Sequence, residues 1–313
     1  MEFLKQTLRE FSNNNCSTLA AALAYYTAFA LPPLLYLLLT ILTLGLSLMY
    51  DNKDAEAKAR NVLTGKAAEM LGNEAATEQI STILENDEKS SGKWWKTLLS
   101  FGGIVIGATG VVAALQAALN QVWEVQADPE RATWKNLLGK RLLSFGMILG
   151  LGFLLLVSLI VSSVLAALGD RVGSMIGMSG AFASGINIMV QAVGVFIVFA
   201  SIFKFMPDAI VKWSDVVVGA LITTTLFLVG RYGLHLYFTY SSPGAQLGAA
   251  AASLAVLLVW VYYTAMIVLL GAEATQVYAV RYGDGIMPER HAVRVVKEIK
   301  RDEETTEPGG SVG

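Results

Sequence analysis

The sequence has little charge for its length. Only 15% of its 313 residues are Asp, Glu, Lys or Arg, 54% are hydrophobic, and the mean hydropathy is +0.54. A soluble domain carries about 25% charged residues, so this chain could not cover a water-exposed surface with the charge it has. The net charge of −2 also offers no basic face to nucleic acid. The composition therefore indicates an integral membrane protein without a nucleic-acid partner.

Cysteine and histidine are scarce as well. The single cysteine, Cys16, excludes an intrachain disulfide and a thiolate metal site. The two histidines, His235 and His291, form neither an HxxxH nor an HExxH spacing, and the chain has no GxxxxGK[ST] loop and no GxSxG elbow. We therefore predict no metal, no cofactor and no enzymatic activity, and any transport would proceed without an ATPase in this chain.

Long apolar runs are what the sequence has instead. A membrane-spanning helix needs about 20 mostly apolar residues, and runs such as 34–42 lack the alternation of a transmembrane barrel strand. Pro129, Pro207 and Pro243 each follow one of these runs, where a helix is expected to have ended. The sequence predicts an all-α, polytopic membrane helix bundle with six transmembrane helices, over residues 18–49, 97–123, 142–168, 182–206, 215–240 and 247–280.

Lysine and arginine give this bundle an orientation. Segment 281–301 holds six of them, whereas the short loops on the opposite side hold only Arg171. By the positive-inside rule both termini are cytoplasmic. The first loop, 50–96, has apolar residues at near-helical spacing and predicts short extracytoplasmic amphipathic helices after the first span. We expect a six-span membrane domain over 1–282 and a cytoplasmic, partly disordered tail over 283–313.

Polar residues inside the predicted spans fall at two depths. Arg231 lies about 6 Å beyond the middle of the fifth span and Glu273 about 12 Å inside the middle of the sixth, so no ion pair between them is expected. Polar groups in hydrocarbon need partners or water, and two tiers facing one another would line a cavity. The inner tier is Tyr25, Tyr26, Gln116, Asn120 and Glu273, and the outer tier is Arg231, His235, Tyr262 and Tyr263.

Each of these residues also has a structural explanation. Interfacial tyrosines form belts, Asn and Gln cross-link helices, and an arginine can extend along its own helix to the surface. The alternatives are thus a cavity lining and a set of helix cross-links. Pro32 and Pro33, inside the first span, predict a kink or break that could act as a hinge.

Four segments occur in a recognisable order. They read "AAALAYYTAFALPPLLYLLLTI" (20–41), "ALQAALNQVWEV" (114–125), "FKFMPDAIVKWSDVVVGALITTTLFLVGRYGLHLYF" (203–238) and "GAAAASLAVLLVWVYYTAMIVLLGAEATQVYA" (248–279). Together they resemble the YihY/BrkB family of bacterial inner-membrane proteins, once mislabelled as ribonuclease BN. The resemblance implies six spans and a multi-pass location in the cytoplasmic (inner) membrane. The family-motif positions are Tyr25, Tyr26, Asn120, Trp123, Pro207, Gly230, Arg231 and Glu273.

The expected function is transport or export of a small solute or envelope lipid through a polar cavity in the bundle. Arg231 would bind an anionic group, and Glu273 would be an ion or proton partner. The alternative is a non-transporting membrane scaffold for envelope processes, in which the polar tiers cross-link helices. The expected partners are membrane lipids and the transported solute or lipid.

Overall fold

The protein is mostly helical in a computed structural model, which describes residues 2–48, 51–71, 81, 110–128, 146, 180–240 and 249–296. The statements below refer to these residues. The helices are α1 (Glu2–Asn13), α2 (Cys16–Leu46), α3 (Asn52–Leu71), α4 (Gly110–Val122), α5 (Gly180–Phe205), α6 (Trp213–Tyr240) and α7 (Ala249–Tyr282).

Two short strand pairs accompany the helices. β1 (Val125–Ala127) pairs antiparallel with β4 (Ala292–Arg294), and β2 (Ala209–Ile210) pairs antiparallel with β3 (Met287–Pro288). β1 follows α4 and β2 connects α5 to α6, whereas β3 and β4 come after α7. We call the end of the helix bundle that carries these strands the strand end.

Residues 283–296, which we call the C-terminal extension, are folded against the bundle. The sequence predicted a tail at these residues and an all-α protein, so the strands correct both predictions. α7 ends where Gly283 and Gly285 both donate backbone N–H groups to the Ala279 carbonyl, at 3.0 Å each. Gly285 adopts φ +75°, a conformation that costs glycine little. The chain therefore turns back after α7 and reaches β1 and β2.

Two helices are long and apolar enough to cross a membrane by length and composition. They are Trp213–Leu234 in α6 and Leu254–Tyr282 in α7. Shorter apolar helical segments lie in α2, α4 and α5. The predicted span 142–168 lies outside the described residues except for Gly146. The described part of the chain thus contains helices at five of the six predicted spans.

The main-chain break near the start of the first span lies at Asn15. Asn15 adopts the left-handed conformation, φ 53° and ψ 39°, between α1 and α2, which asparagine tolerates better than most residues. Helix α2 itself runs without interruption through Pro32 and Pro33, so the predicted break does not occur there. Transmembrane helices accommodate proline when other groups satisfy the freed carbonyls.

Helix α3 begins the segment that follows the first span. It confirms a helix in loop 50–96, and its remaining part beyond 71 lies outside the described residues apart from Ser81. Ala55, Ala59 and Leu63, at successive turns of α3, are buried against Leu42 and other residues of α2 and α7. This apolar stripe explains why α3 packs on the bundle rather than standing in solvent.

Helices α6 and α7 approach each other at two glycines. A Cβ atom on Gly219 would lie 2.7 Å from the Gly271 carbonyl oxygen, and one on Gly271 would lie 3.2 Å from the Gly219 carbonyl oxygen. Thr223 and Thr275 are fully buried, and their hydroxyls donate to the Gly219 and Gly271 carbonyls at 2.8 and 2.9 Å. Small residues permit this close contact between helix backbones. We call these four residues the Gly–Thr interlock.

Candidate functional site

Asp208 is the centre of a polar cluster at the strand end. It follows Pro207 in the connection between α5 and α6 and is 3% exposed. Gln116 Nε2 donates to Asp208 Oδ1 at 3.1 Å, and Asn120 Nδ2 donates to Asp208 Oδ2 at 2.8 Å. Asn120 Oδ1 accepts from the Asp208 backbone N–H at 2.9 Å. Since Gln116 and Asn120 are four residues apart, one face of α4 holds this carboxylate.

The C-terminal extension completes this cluster through His291. His291 Nε2 lies 3.2 Å from Asp208 Oδ1, and Nδ1 lies 3.4 Å from Glu289 Oε2. The Glu289 backbone N–H donates to the Asp208 carbonyl at 3.1 Å. An imidazolium can donate to both carboxylates, whereas neutral imidazole has one N–H. The Asp208 cluster, namely Asp208, Gln116, Asn120 and His291, therefore joins three parts of the chain.

Glu273 is the centre of a second buried cluster. It lies in α7 and has no exposed surface. Asn14 Nδ2 donates to Glu273 Oε1 at 2.8 Å, and Cys16 Sγ lies 3.4 Å from the same oxygen. With its amide nitrogen turned towards these acceptors, Gln276 donates to Glu273 Oε2 at 3.3 Å and to the Val122 carbonyl at 2.6 Å. We call Glu273, Asn14, Cys16 and Gln276 the Glu273 cluster.

The end of α4 connects the Glu273 cluster to its neighbours. Trp123, 1% exposed, donates Nε1–H to the Ala272 carbonyl at 3.0 Å. Gln121 Nε2 donates to the Asn14 carbonyl at 3.2 Å. The α1–α2 junction, α4 and α7 are thus held together by side-chain hydrogen bonds. A buried polar group without a partner is costly, and these carboxylates have several partners each.

The predicted inner tier is divided in the structure. Gln116 and Asn120 meet on Asp208, whereas Glu273 belongs to the other cluster. Tyr25 and Tyr26 are 61% and 54% exposed, and the Tyr25 ring contacts Tyr26 and Phe29 with centroids 6.0 and 4.8 Å apart. The structure therefore does not bring these tyrosines to either cluster.

The predicted outer tier centres on Arg231. Arg231 is half-buried, and Nη1 donates to Gln191 Oε1 of α5 at 3.5 Å. Tyr263 lies directly against Gly230, where any Cβ atom would overlap its ring, and its hydroxyl donates to the Leu226 carbonyl at 3.2 Å. The structure thus places Tyr263 beside the residue that precedes Arg231.

The other two members of the outer tier contribute less. Tyr262 is partly buried and packs against the apolar core. His235 lies in α6, and its side chain falls outside the described part of the structure. Neither residue adds a described polar contact to Arg231.

Six residues of these sites were not among the residues predicted from the sequence: Asn14, Cys16, Gln191, Asp208, Gln276 and His291. Asp208 stands in the motif segment 203–238, but its pairing with Asn120 spans 88 residues of sequence. When its partners are unknown, an acidic residue between two predicted spans is expected to be a solvent-exposed loop residue. The adjacent Pro207 was the available signal that this connection has a fixed geometry.

Metal ligation has no support in the described ranges. They contain no group of three or more His, Cys, Asp or Glu side chains that could hold a metal ion.

An ion pair outside the predicted spans fixes the C-terminal extension to the start of α6. Lys212 Nζ contacts Asp284 Oδ2, with both side chains exposed. The hydrogen bond and charge of Asp284 raise the pKa of Lys212, and those of Lys212 lower the pKa of Asp284. Each charge therefore favours the ionised form of the other at neutral pH.

Comparison with known proteins covers nearly the whole chain. The family model described as "Virulence factor BrkB" matches residues 7–295, so the match includes both polar clusters and ends within the C-terminal extension. A UPF0761 membrane protein of Vibrio parahaemolyticus is 27% identical over 276 residues, which cover 87% of this chain and 81% of that protein.

A second relative gives the same result. A UPF0761 membrane protein of Psychromonas ingrahamii is 24% identical over 275 residues, 88% of this chain and 86% of that protein. No solved structure matches the chain. With a family model over most of its length and relatives named as membrane proteins, the chain belongs to the BrkB/UPF0761 family of membrane proteins.

Proposed function

We propose that this membrane protein transports or exports a small anionic solute or an anionic envelope lipid, and that Arg231 binds the anionic group. The bundle would have six spans in the bacterial inner membrane, with both termini in the cytoplasm. No ATPase motif accompanies it. The observation that carries the proposal is that Arg231 makes one hydrogen bond, to Gln191, among the described residues.

Arg231 has more donors than the described structure uses. A guanidinium group carries five N–H donors, and within the described residues Arg231 makes one hydrogen bond, at 3.5 Å to Gln191. A cation within a membrane span is expensive, and such residues commonly mark substrate or ion pathways. Because an arginine fork matches carboxylate and phosphate groups, the unused donors favour an anionic ligand.

The two clusters at the strand end support a different role from the one expected of the inner tier. Asp208 accepts from Gln116 and Asn120 and contacts His291, and Glu273 is held by Asn14, Cys16 and Gln276. Their oxygens are already engaged. We propose that these two clusters stabilise the strand end of the bundle and that ligand binding occurs at Arg231.

Mass spectrometry of bound lipids and small molecules tests the proposal. Wild type, Arg231→Ala and Arg231→Lys would be purified in mild detergent, with Val229→Ala as a matched control because Val229 lies on the same helix and is 66% exposed. We expect a defined anionic compound in wild type and Val229→Ala, less of it in Arg231→Lys, and none in Arg231→Ala. Equal amounts of the same compounds in all four proteins would contradict the proposal.

A membrane scaffold is the second candidate, and the saturated hydrogen bonds at the strand end favour it. In a scaffold Arg231 cross-links α5 and α6 through Gln191, so Arg231→Ala should lower the unfolding temperature along with function. In a transporter the same variant should keep its unfolding temperature and lose ligand. One unfolding curve, taken beside the mass spectrum, separates the two functions.

A further inference from the structure

The outer face of the β2–β3 strand pair is apolar although it is exposed. Ile210 and Met287 are directly opposite each other, and each is 57% exposed. The other face of the same pair is apolar too, because Ala209 is 3% exposed and its partner Pro288 is partly buried. An antiparallel pair with one face in water normally alternates apolar and polar residues. This pair does not, which indicates that its outer face is not in water.

The β1–β4 pair at the same end gives a direct contrast. Its exposed, directly opposite residues are Gln126 and Val293, and Arg294 next to Val293 is exposed as well. This outer face therefore carries a polar residue, Gln126, opposite Val293, whereas Arg294 pairs with the buried Val125 and lies on the other face. The apolar outer face is therefore a property of the β2–β3 pair and not of the strand end as a whole.

Exposed aromatic residues lie at the two helix ends that β2 connects. Phe205 ends α5 and Trp213 begins α6; both are about half exposed, at 55% and 53%, and their ring centroids are 6.1 Å apart. Lys204 Nζ lies 5.6 Å from the centre of the Trp213 ring. Tryptophan beside lysine at the end of a span is typical of a membrane–water interface.

The exposed stripe of α6 places this surface at the edge of the bilayer. Every fourth residue of α6 from Trp213 to Tyr237 is exposed, and together they form a stripe that winds around the helix. Trp213, Leu221, Val229 and Tyr237 belong to this stripe and are 53%, 53%, 66% and 53% exposed. Trp213 and Tyr237 are about 36 Å apart at about 1.5 Å per residue, slightly more than the roughly 30 Å of a bilayer's hydrocarbon core. The two aromatic ends of the stripe thus match the two interfaces. Ile210 lies three residues before Trp213.

From these observations we infer that the β2–β3 pair is a phospholipid-binding anchor, with the side chains of Ile210 and Met287 inserted at the boundary between headgroups and acyl chains. We assign the bilayer as the occupant of this face because Ile210 lies three residues before Trp213, where the exposed stripe of α6 begins, and the exposed Phe205 packs on Trp213. The inference depends on the membrane location alone and not on transport. It holds whichever side of the membrane the strand end faces.

Site-directed spin labelling tests the anchor in the full-length protein. Ile210→Cys and Met287→Cys would each be labelled with a nitroxide after reconstitution into phosphatidylethanolamine–phosphatidylglycerol vesicles. The native Cys16 has no exposed surface. Wild type treated with the same nitroxide reagent verifies that Cys16 does not react. Leu221→Cys on the α6 stripe is the control for lipid, and Gln126→Cys on β1 is the matched control for water.

Collision with oxygen and with a water-soluble nickel chelate reports the surroundings of each label. We expect the labels at 210 and 287 to collide readily with oxygen and to lose most of their nickel collisions relative to the label at 126. Nickel collisions equal to those at 126 would overturn the inference, because the face would then be in water. Immobile labels shielded from both reagents would also overturn it, since a second copy or another protein would then cover the face.

Discussion

Two regions of this membrane protein differ in how many hydrogen-bond partners they provide for an ionisable side chain. At the strand end, Asp208 and Glu273 are nearly or completely buried, and each is contacted by three side chains, of which at least two come from distant parts of the chain. Towards the opposite end of α6, Arg231 is half-buried with one hydrogen bond of 3.5 Å among the described residues. The comparison separates carboxylates whose oxygens are engaged by several side chains from an arginine that uses one of its five N–H donors among the described residues.

Removing Asp208 should give the largest loss of stability. Asp208→Ala leaves the amides of Gln116 and Asn120 and the ring of His291 without their shared acceptor, so we expect a loss of about 3 kcal/mol or more. Thermal unfolding in detergent, followed by circular dichroism, measures it. Asp284→Ala removes an exposed carboxylate at the same end and should barely move the unfolding temperature. Equal effects of the two variants would show that burial and hydrogen bonding do not distinguish the Asp208 cluster.

Substitution of the glycines of α6 by alanine should give the next largest loss of stability, and the loss should differ from one glycine to another. Gly219→Ala places a methyl group 2.7 Å from the Gly271 carbonyl oxygen, and a backbone atom cannot move aside easily, so we expect a loss of about 1–3 kcal/mol. Gly230→Ala meets only the movable end of the Tyr263 side chain and should cost less.

Gly233 supplies the matched control for both glycine variants. It lies on the same helix and has no atom within 4 Å of an added Cβ. Gly233→Ala should therefore be neutral or stabilise by about 0.5–1 kcal/mol. The order of unfolding temperatures, with Gly233→Ala highest and Gly219→Ala lowest, is the expected result. A reversed order would contradict the claim that the Gly–Thr interlock stabilises the packing of α6 against α7.

Substitution of Arg231 should lower stability less than Asp208→Ala or Gly219→Ala. Arg231→Met keeps the length of the side chain and loses one long hydrogen bond, so we expect the free energy of unfolding to change by less than about 1 kcal/mol. Asn120→Leu, which removes two hydrogen bonds of Asp208, should change it more. If Arg231→Met unfolds as easily as Asn120→Leu, then Arg231 belongs with the structural charges.

The smallest effect should be the pH dependence of the exposed Lys212–Asp284 pair. The pKa of Asp284 is lowered from 3.8, so its contribution is present above pH 3.8 and is lost as the pH falls through its folded-state pKa. The pKa of Lys212 is raised from 10.5, so its contribution is present below pH 10.5 and is lost as the pH rises through its folded-state pKa.

A difference curve isolates this ion pair. The unfolding temperature of wild type minus that of Lys212→Met, measured against pH, should be small, positive and flat between these two limits, and should decline beyond them. Salt should reduce it because both side chains are exposed. A difference that peaks within the neutral range would mean that another group titrates with Lys212.

The sequence predicted those features that depend on local pattern. Apolar runs predicted the helices found within 18–49, 97–123, 182–206, 215–240 and 247–280, and near-helical spacing predicted α3. The polar residues Gln116, Asn120 and Glu273 were identified as candidates because polarity inside an apolar run is itself a local signal. Whether the third predicted span forms as expected stays a prediction, since nearly all of it lies outside the described residues.

Partners could not be predicted in the same way. Gln116 and Asn120 share a face of α4, but the acceptor between them, Asp208, lies in a connection 88 residues after Asn120. His291 reaches it from a segment whose composition is typical of a tail. Strands of two or three residues carry too little alternation to recognise, so the C-terminal extension was assigned to the tail. Long-range pairing, not residue type, was the missing information.

The contact between Asn14 and Glu273 sets a constraint on the order of events during synthesis. The two residues are 259 positions apart, and synthesis delivers the N-terminal one first. Until α7 has been made, Asn14 has no Glu273 to bind, and Asp208 likewise lacks His291 until the C-terminal extension has been made. Both clusters can therefore be completed only after helices α1 to α6 have left the ribosome.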